Sequence, residues 1–134
     1  MAEAVFTDQA PRPGGFYSQA VRAGQLLFVS GQLPLDLNGK VKGESAAEQA
    51  RQAIQNVAAI LSAAGATIAD LVQVTIYVSS IEQWSEVNAV YRELLKDVPV
   101  PPARAVVPVK EMHFGAQVEI QAVAVLPAGA QKAV

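Results

Sequence analysis

Apolar and polar residues alternate along residues 71–79, where LVQVTIYVS sets Val72, Val74, Ile76 and Val78 on one side and Gln73, Thr75, Tyr77 and Ser79 on the other. A period of two predicts a half-buried strand with a polar-leaning second face. Upstream the period changes. Ala50, Ile54, Val57, Ala58 and Leu61 recur at helical spacing and form one small-sided apolar stripe. Ser45 and Glu48 open that helix as a capping box, and Gly65 stops it. Trp84, Val87, Tyr91 and Leu94 or Leu95 mark a second helix, starting near Ser79 or Ser80 and ended by the prolines between Asp97 and Pro102. Residues 20–41 read as successive short strands, with turns at Ala23-Gly24 and at Asn38-Gly39, the preferred pair for a two-residue hairpin loop. Two more strands follow, near 103–109 and 117–125. Residues 1–18 read as extended or looping, with Pro11, Pro13, Gly14 and Gly15 barring a helix.

Strands, helix, strand, helix and two strands describe one α+β domain over residues 1–134, a mixed sheet with two helices on one face. Its other face is left uncovered by its own chain. Residues 1–10 and 127–134 are expected to be peripheral, the last of them frayed. No repeat, linker or second domain is visible.

Composition sharpens this picture at one point. Charged residues make up 16% of the chain and hydrophobic ones 51%, against roughly 25% charged in an average soluble domain. A small domain has much surface per unit volume and needs more charge, not less. The shortfall predicts that the bare sheet face is buried against other copies of the chain. Net charge is −2 without a basic cluster, a poor fit to nucleic acid. No apolar run approaches the ~20 residues of a membrane span, and the N-terminus does not read as a signal peptide. The chain has no cysteine, which fits a reducing, cytoplasmic compartment and excludes thiolate chemistry.

The candidate chemistry is sparse. The one histidine, His113, reads as a solvated loop residue, and the chain offers too few ligands for a histidine metal site. Gly31, Gly39 and Gly43 do not have the spacing of a phosphate loop. Two charges stand out instead. Arg104 lies within VPPARAVVPV, residues 100–109, and Glu119 within QVEIQAVAV, residues 117–125, each in a strand otherwise built for a core. Such charges are rarely buried without a partner. Two readings stay open on residue pattern: a structural ion pair or edge charges facing water, or a site in which the guanidinium grips a carboxylate while the glutamate handles a water or proton. Tyr17, Ser30 and Asn88 are further candidates, and Asn88 shares a helical stripe with Trp84 and Tyr91, where it needs a hydrogen-bond partner.

Taken in order, GGFYSQAVRAGQLLFVSGQLPLD, QARQAIQNVAAILSAAGA, VTIYVSSIEQWSEVNAVY, PPARAVVPV and AQVEIQAVAV resemble the RidA/YjgF family of imine deaminases over nearly the whole chain. The resemblance implies a chorismate-mutase-like fold, a homotrimer enclosing a barrel, and sites in the clefts between subunits. It implies hydrolysis of small 2-imino acids, such as 2-iminopropanoate and 2-iminobutanoate, to 2-keto acids and ammonia, with no metal and no organic cofactor. By the same resemblance Arg104 matches the arginine that holds the substrate carboxylate, and Glu119 the glutamate that holds or activates water, kept ionised by the nearby arginine. Tyr17, Ser30, Gly31 and Asn88 match cleft-lining positions, as does Val106. Phe16 stands where the family commonly has proline and Val106 where many members have cysteine, so both bear on pocket shape. A non-catalytic module holding a small carboxylate in the same clefts is the alternative; retention of Glu119 beside Arg104 argues against it.

Overall fold

Alternation decides which side of each strand is covered. In the computed structural model, which describes residues 1–130, the elements run β1 (Glu3–Val5), β2 (Ala20–Ala23), β3 (Leu26–Gln32), α1 (Ala46–Ala63), β4 (Leu71–Val78), α2 (Trp84–Leu94), β5 (Ala103–Pro108) and β6 (Val118–Val125). The strands form one mixed sheet in the order β1-β2-β3-β6-β4-β5. Only β4 and β5 run parallel, and α2 is the crossover that such a pair requires. Leu27 and Val29 of β3, Ile76 and Val78 of β4, and Val118 and Ile120 of β6 are buried beneath the helices with Ala50, Ala53, Ile60 and Leu61 of α1 and Val87 of α2. Each large aliphatic residue buried in that layer is worth about 1.5–3 kcal/mol. The alanines of α1 leave little between helix and sheet.

The helix ends follow the sequence signals. Ser45 Oγ accepts from the Glu48 amide at 3.1 Å, and the Glu48 carboxylate accepts from the Ser45 amide at 3.2 Å and the Ser45 hydroxyl at 3.1 Å, two bonds that hold the Glu48 pKa below its usual value. At the other end Gly65 adopts φ +81, so its amide reaches the Ser62 carbonyl at 3.0 Å and the Ala66 amide reaches Leu61 at 2.9 Å. That double closure needs a left-handed residue, which glycine supplies without strain. A Ser80-capped 3-10 turn over Ile81–Gln83 precedes α2.

Among the described residues no helix covers the second face of the sheet. Leu26, Phe28 and Val125 remain 40–45% exposed there. Among the described residues no helix is long and apolar enough to cross a membrane.

Four expectations need correction. Val72 does not share the buried face of Val74: the β4–β6 register slips between Leu71 and Gln73, so Leu71 turns inward and Val72 stays exposed, as a bulged strand requires. Asn38-Gly39 is not a two-residue hairpin loop. Only Leu35 and Val41 pair, and Asp36 Oδ1 accepts from the Asn38 and Lys40 amides at 2.9 and 3.0 Å, making a wider turn tied by its own side chain. Residues 1–10 are not peripheral, because β1 pairs with β2 and Val5 and Ala10 enter the core. Of the expected frayed tail, Ala130 packs on the core and residues 131–134 lie outside the described residues.

Candidate functional site

The site elements come from both faces of the sheet. On the open side, β3 ends in Ser30-Gly31-Gln32, and its register against β6 slips between Val29 and Gln32. The slip spreads the strand pair beside Glu119. A Cβ built on Gly31 would stand 2.8 Å from Glu119 Oε2, so the missing side chain is what gives the carboxylate its space. Ser30 donates its hydroxyl to the Ser18 carbonyl at 2.7 Å, and its amide donates to the Gln19 carbonyl at 2.9 Å. Both bonds tie the strand end to the N-terminal loop.

That loop forms the opposite wall, and a buried amide holds it. Gln19 Oε1 accepts from the Thr7 amide at 2.7 Å, while Nε2 donates to the carbonyls of Thr7 and Pro11 at 3.1 and 3.0 Å. The fold of the loop brings Tyr17 to the wall, where its hydroxyl accepts from the Gly14 amide at 3.3 Å. Between loop and sheet lies a cavity of about 620 Å³, lined by Glu119, Ser30, Gly31, Tyr17 and His113 among others. Phe16, one residue away, is fully exposed at its side chain.

Glu119 is half-buried in this cavity, and among the described residues no hydrogen bond reaches its carboxylate. Burial raises its pKa above the usual carboxylate range, and the charge of His113 pulls the other way. Within one chain no arginine supplies the charge expected to keep Glu119 ionised.

Arg104 is elsewhere. In the parallel β4–β5 register it lies opposite Val74, whereas Glu119 lies opposite Tyr77 in the β4–β6 register. Val74 faces the helices and Tyr77 the open side. The two charges thus stand on opposite faces of the sheet, with β4 between their strands. Within a single chain the two charges therefore neither share a pocket nor form a structural ion pair.

What Arg104 has instead is a prepared seat on α2. Its Nη1 donates to Asn88 Oδ1 at 2.9 Å, the partner that the position of Asn88 demanded. Its guanidinium carbon lies 4.7 Å from the Tyr91 ring centroid and 5.8 Å from that of Trp84, within cation–π range. Val106, two residues on, faces the same way and packs against the core edge. Asn88, Tyr91 and Arg104 line a second cavity of about 510 Å³. Sequence reasoning missed Gln19 and the aromatic seat. Nothing in a single chain separates a clamping glutamine from a solvated one, but the Trp84–Asn88–Tyr91 stripe opposite an unpaired arginine was a usable signal.

Among the described residues no group of three or more His, Asp or Glu side chains has the arrangement to hold a metal ion.

The family model for endoribonuclease L-PSP matches residues 7–126. A RutC family protein of Aquifex aeolicus is 44% identical over 89% of this chain and 95% of its own. The 2-iminobutanoate/2-iminopropanoate deaminase of Salmonella typhimurium is 35% identical over 93% of this chain and 98% of its own. Among solved structures, Escherichia coli TdcF with bound serine superposes with a TM-score of 0.88 at 30% identity, over 93% of this chain and 99% of that one.

Proposed function

The chain belongs to the endoribonuclease L-PSP family, that of the RidA/YjgF and RutC proteins, and from that premise we propose that it hydrolyses small 2-imino acids to 2-keto acids and ammonia. In this reading it works in the cytoplasm as a homotrimer, and each site joins the Glu119 cavity of one copy to Arg104 of the next. The observation that carries the reading is the separation of the two charges. Each is prepared in its own way, yet one chain cannot bring both to one small molecule. A second copy whose Arg104 meets the first copy's cavity supplies the missing half, and the uncovered sheet face gives copies a surface on which to associate.

The chemistry suits such a site. An imino carbon is already electrophilic and hydrolyses unaided in water, so modest acceleration suffices. Arg104 fixes the substrate carboxylate by two parallel hydrogen bonds, which sets the distance from the imino carbon to a water beside Glu119. With the guanidinium brought close, Glu119 ionises more readily and accepts a proton from that water. Tyr17, Ser30 and Gly31 shape the cavity, Asn88 holds Arg104, and Val106 follows Arg104 on the same side of β5, packed against the core. The relative's bound serine fits a pocket for a small molecule carrying a carboxylate beside nitrogen. It also favours a second reading, a carboxylate-binding module without turnover.

A coupled assay separates the two. An amino-acid oxidase or threonine dehydratase generates the imine in place, and keto-acid release is followed with and without the protein. Acceleration by the parent chain, lost by about a hundredfold in Arg104→Ala with unchanged circular dichroism, is the expected result. Calorimetric binding of small carboxylates with no acceleration of any imine would establish the module instead.

A further inference from the structure

Glu119 shares its cavity with the chain's one histidine, and we propose that His113 is the general acid of the same site, protonating the nitrogen that leaves. The inference rests on the imine-hydrolase reading. His113 opens a short turn, His113–Gly115, whose backbone is unusual. Phe114 adopts φ 62, the one left-handed non-glycine among the described residues, and Gly115 follows at φ 69. A bulky residue in that region is strained by roughly 1–2 kcal/mol. Burial does not offset this, because the Phe114 side chain is 69% exposed. What the turn accomplishes is placement: it sets the imidazole against the Phe114 ring, centroids 5.9 Å apart and planes at 45°, on the lip of the cavity. The Ala116 amide closes the turn on the His113 carbonyl at 3.1 Å, and buried Ala116 anchors it.

The electrostatics agree with this placement. His113 acts on Glu119 and opposes the effect of burial. The other charged or titratable side chains lining the cavity are Arg12 and Tyr17. Arg12 is turned toward the Phe6 ring, 5.9 Å from its centroid, and Lys110 and Glu111 lead into the turn. Of these types only imidazole ordinarily takes up and releases protons between pH 5 and 8.

The steps balance as follows. Water adds to the imino carbon, the C=N π pair moves to nitrogen, and Glu119 takes the water's proton. The product is a 2-amino-2-hydroxy acid. The His113 imidazolium donates a proton to its amine. The C–N bond then breaks with its electron pair on nitrogen, the C–OH bond becomes C=O, and the hydroxyl proton returns to His113. Glu119 finally gives its proton to the released ammonia, so an iminium and water become a ketone and ammonium. Two groups with different tasks divide the proton traffic, which a lone glutamate would have to handle in succession.

The test is the in-situ imine assay on the intact assembly, run across pH for parent, His113→Gln and His113→Ala. We expect kcat/KM to fall on the order of a hundredfold near neutrality in both variants, the alkaline decline of the parent profile to disappear, and added imidazole to restore part of the rate to His113→Ala. Carbon-13 spectra of the Glu119 carboxyl, assigned with Glu119→Gln, should show its midpoint rising further in His113→Gln. A parent chain that accelerates hydrolysis while His113→Gln keeps the same rate and profile would overturn the role of His113 and leave the imine reading intact. A parent without activity on any imine removes both, and a Glu119 midpoint unmoved by His113→Gln refutes the pairing by itself.

Discussion

The two charged groups of the candidate site live under opposite conditions. Arg104 is held by its own chain: Asn88 accepts its hydrogen bond, and the Tyr91 and Trp84 rings bracket it. Glu119 receives no hydrogen bond from the described residues, and burial makes its charge unfavourable. The difference matches what the proposed reaction asks of each. A guanidinium that grips a carboxylate works best when fixed beforehand, because ordering a long side chain on binding costs about 0.5–1.5 kcal/mol. A carboxylate that must accept a proton works best when it is not already satisfied, since stabilising its charged form lowers its basicity. Strand parity then puts the settled group and the unsettled one on different faces.

The sharpest way to break this comparison is to separate the two groups genetically. Arg104→Ala and Glu119→Gln chains should each be inactive as pure assemblies. When they are unfolded and refolded together in equal amounts, a cyclic trimer gives about a quarter of its clefts one intact copy of each residue. Activity in the imine assay should therefore return to roughly that fraction of the parent value. A mixture that stays inactive, with mixed assemblies verified by mass spectrometry, would mean that the charges do not meet across copies.

A smaller effect probes the unsettled side alone. Gly31→Ala puts a methyl group 2.8 Å from Glu119 Oε2, and the carboxylate is the group free to move. Displacing it should lower kcat/KM on the order of tenfold, with the melting temperature nearly unchanged because the end of a side chain yields more easily than backbone. Full activity would mean that the position of Glu119 is not critical.

Much of this was legible in the sequence, and the exceptions have physical causes. Helix periodicity and caps need only residues within a turn or two of each other, and α1 runs between the marks of Ser45 and Gly65, whereas Ser80 caps a 3-10 turn and α2 begins only at Trp84. Arg104, Asn88 and Glu119 were identifiable because each breaks an apolar pattern. Their separation was not, because a strand's alternation tells which residues share a face but not which face another strand presents. That depends on strand order, and β6 inserts between β3 and β4 over a long sequence distance. Val72 was misread for a related reason: a bulge shifts parity by one residue and leaves no mark on the pattern. His113 is exposed on a loop, as expected. Its nearness to Glu119 depends on a left-handed phenylalanine that no local signal announces.

The mildest prediction concerns stability and follows from the direction of the Glu119 shift. A carboxyl whose pKa is higher in the folded chain binds its proton more tightly there than when unfolded, so between the two pKa values the folded state holds more protons. Stability then falls as pH rises from the ordinary glutamate range, near 4.3, through the raised value, and stays lower above it. Glu119→Gln cannot ionise and escapes that loss. In an Arg104→Ala background, where no guanidinium of a second copy reaches Glu119, and at a fixed protein concentration, adding Glu119→Gln should raise the melting temperature at neutral pH by on the order of a few degrees, and the gain should vanish below about pH 4. Arg104→Ala by itself should show no such gain at any pH, since it strips Asn88 of a donor and uncovers two aromatic rings. A neutral-pH loss on adding Glu119→Gln would mean that Glu119 is as well satisfied as Arg104, and the contrast between the two seats would dissolve.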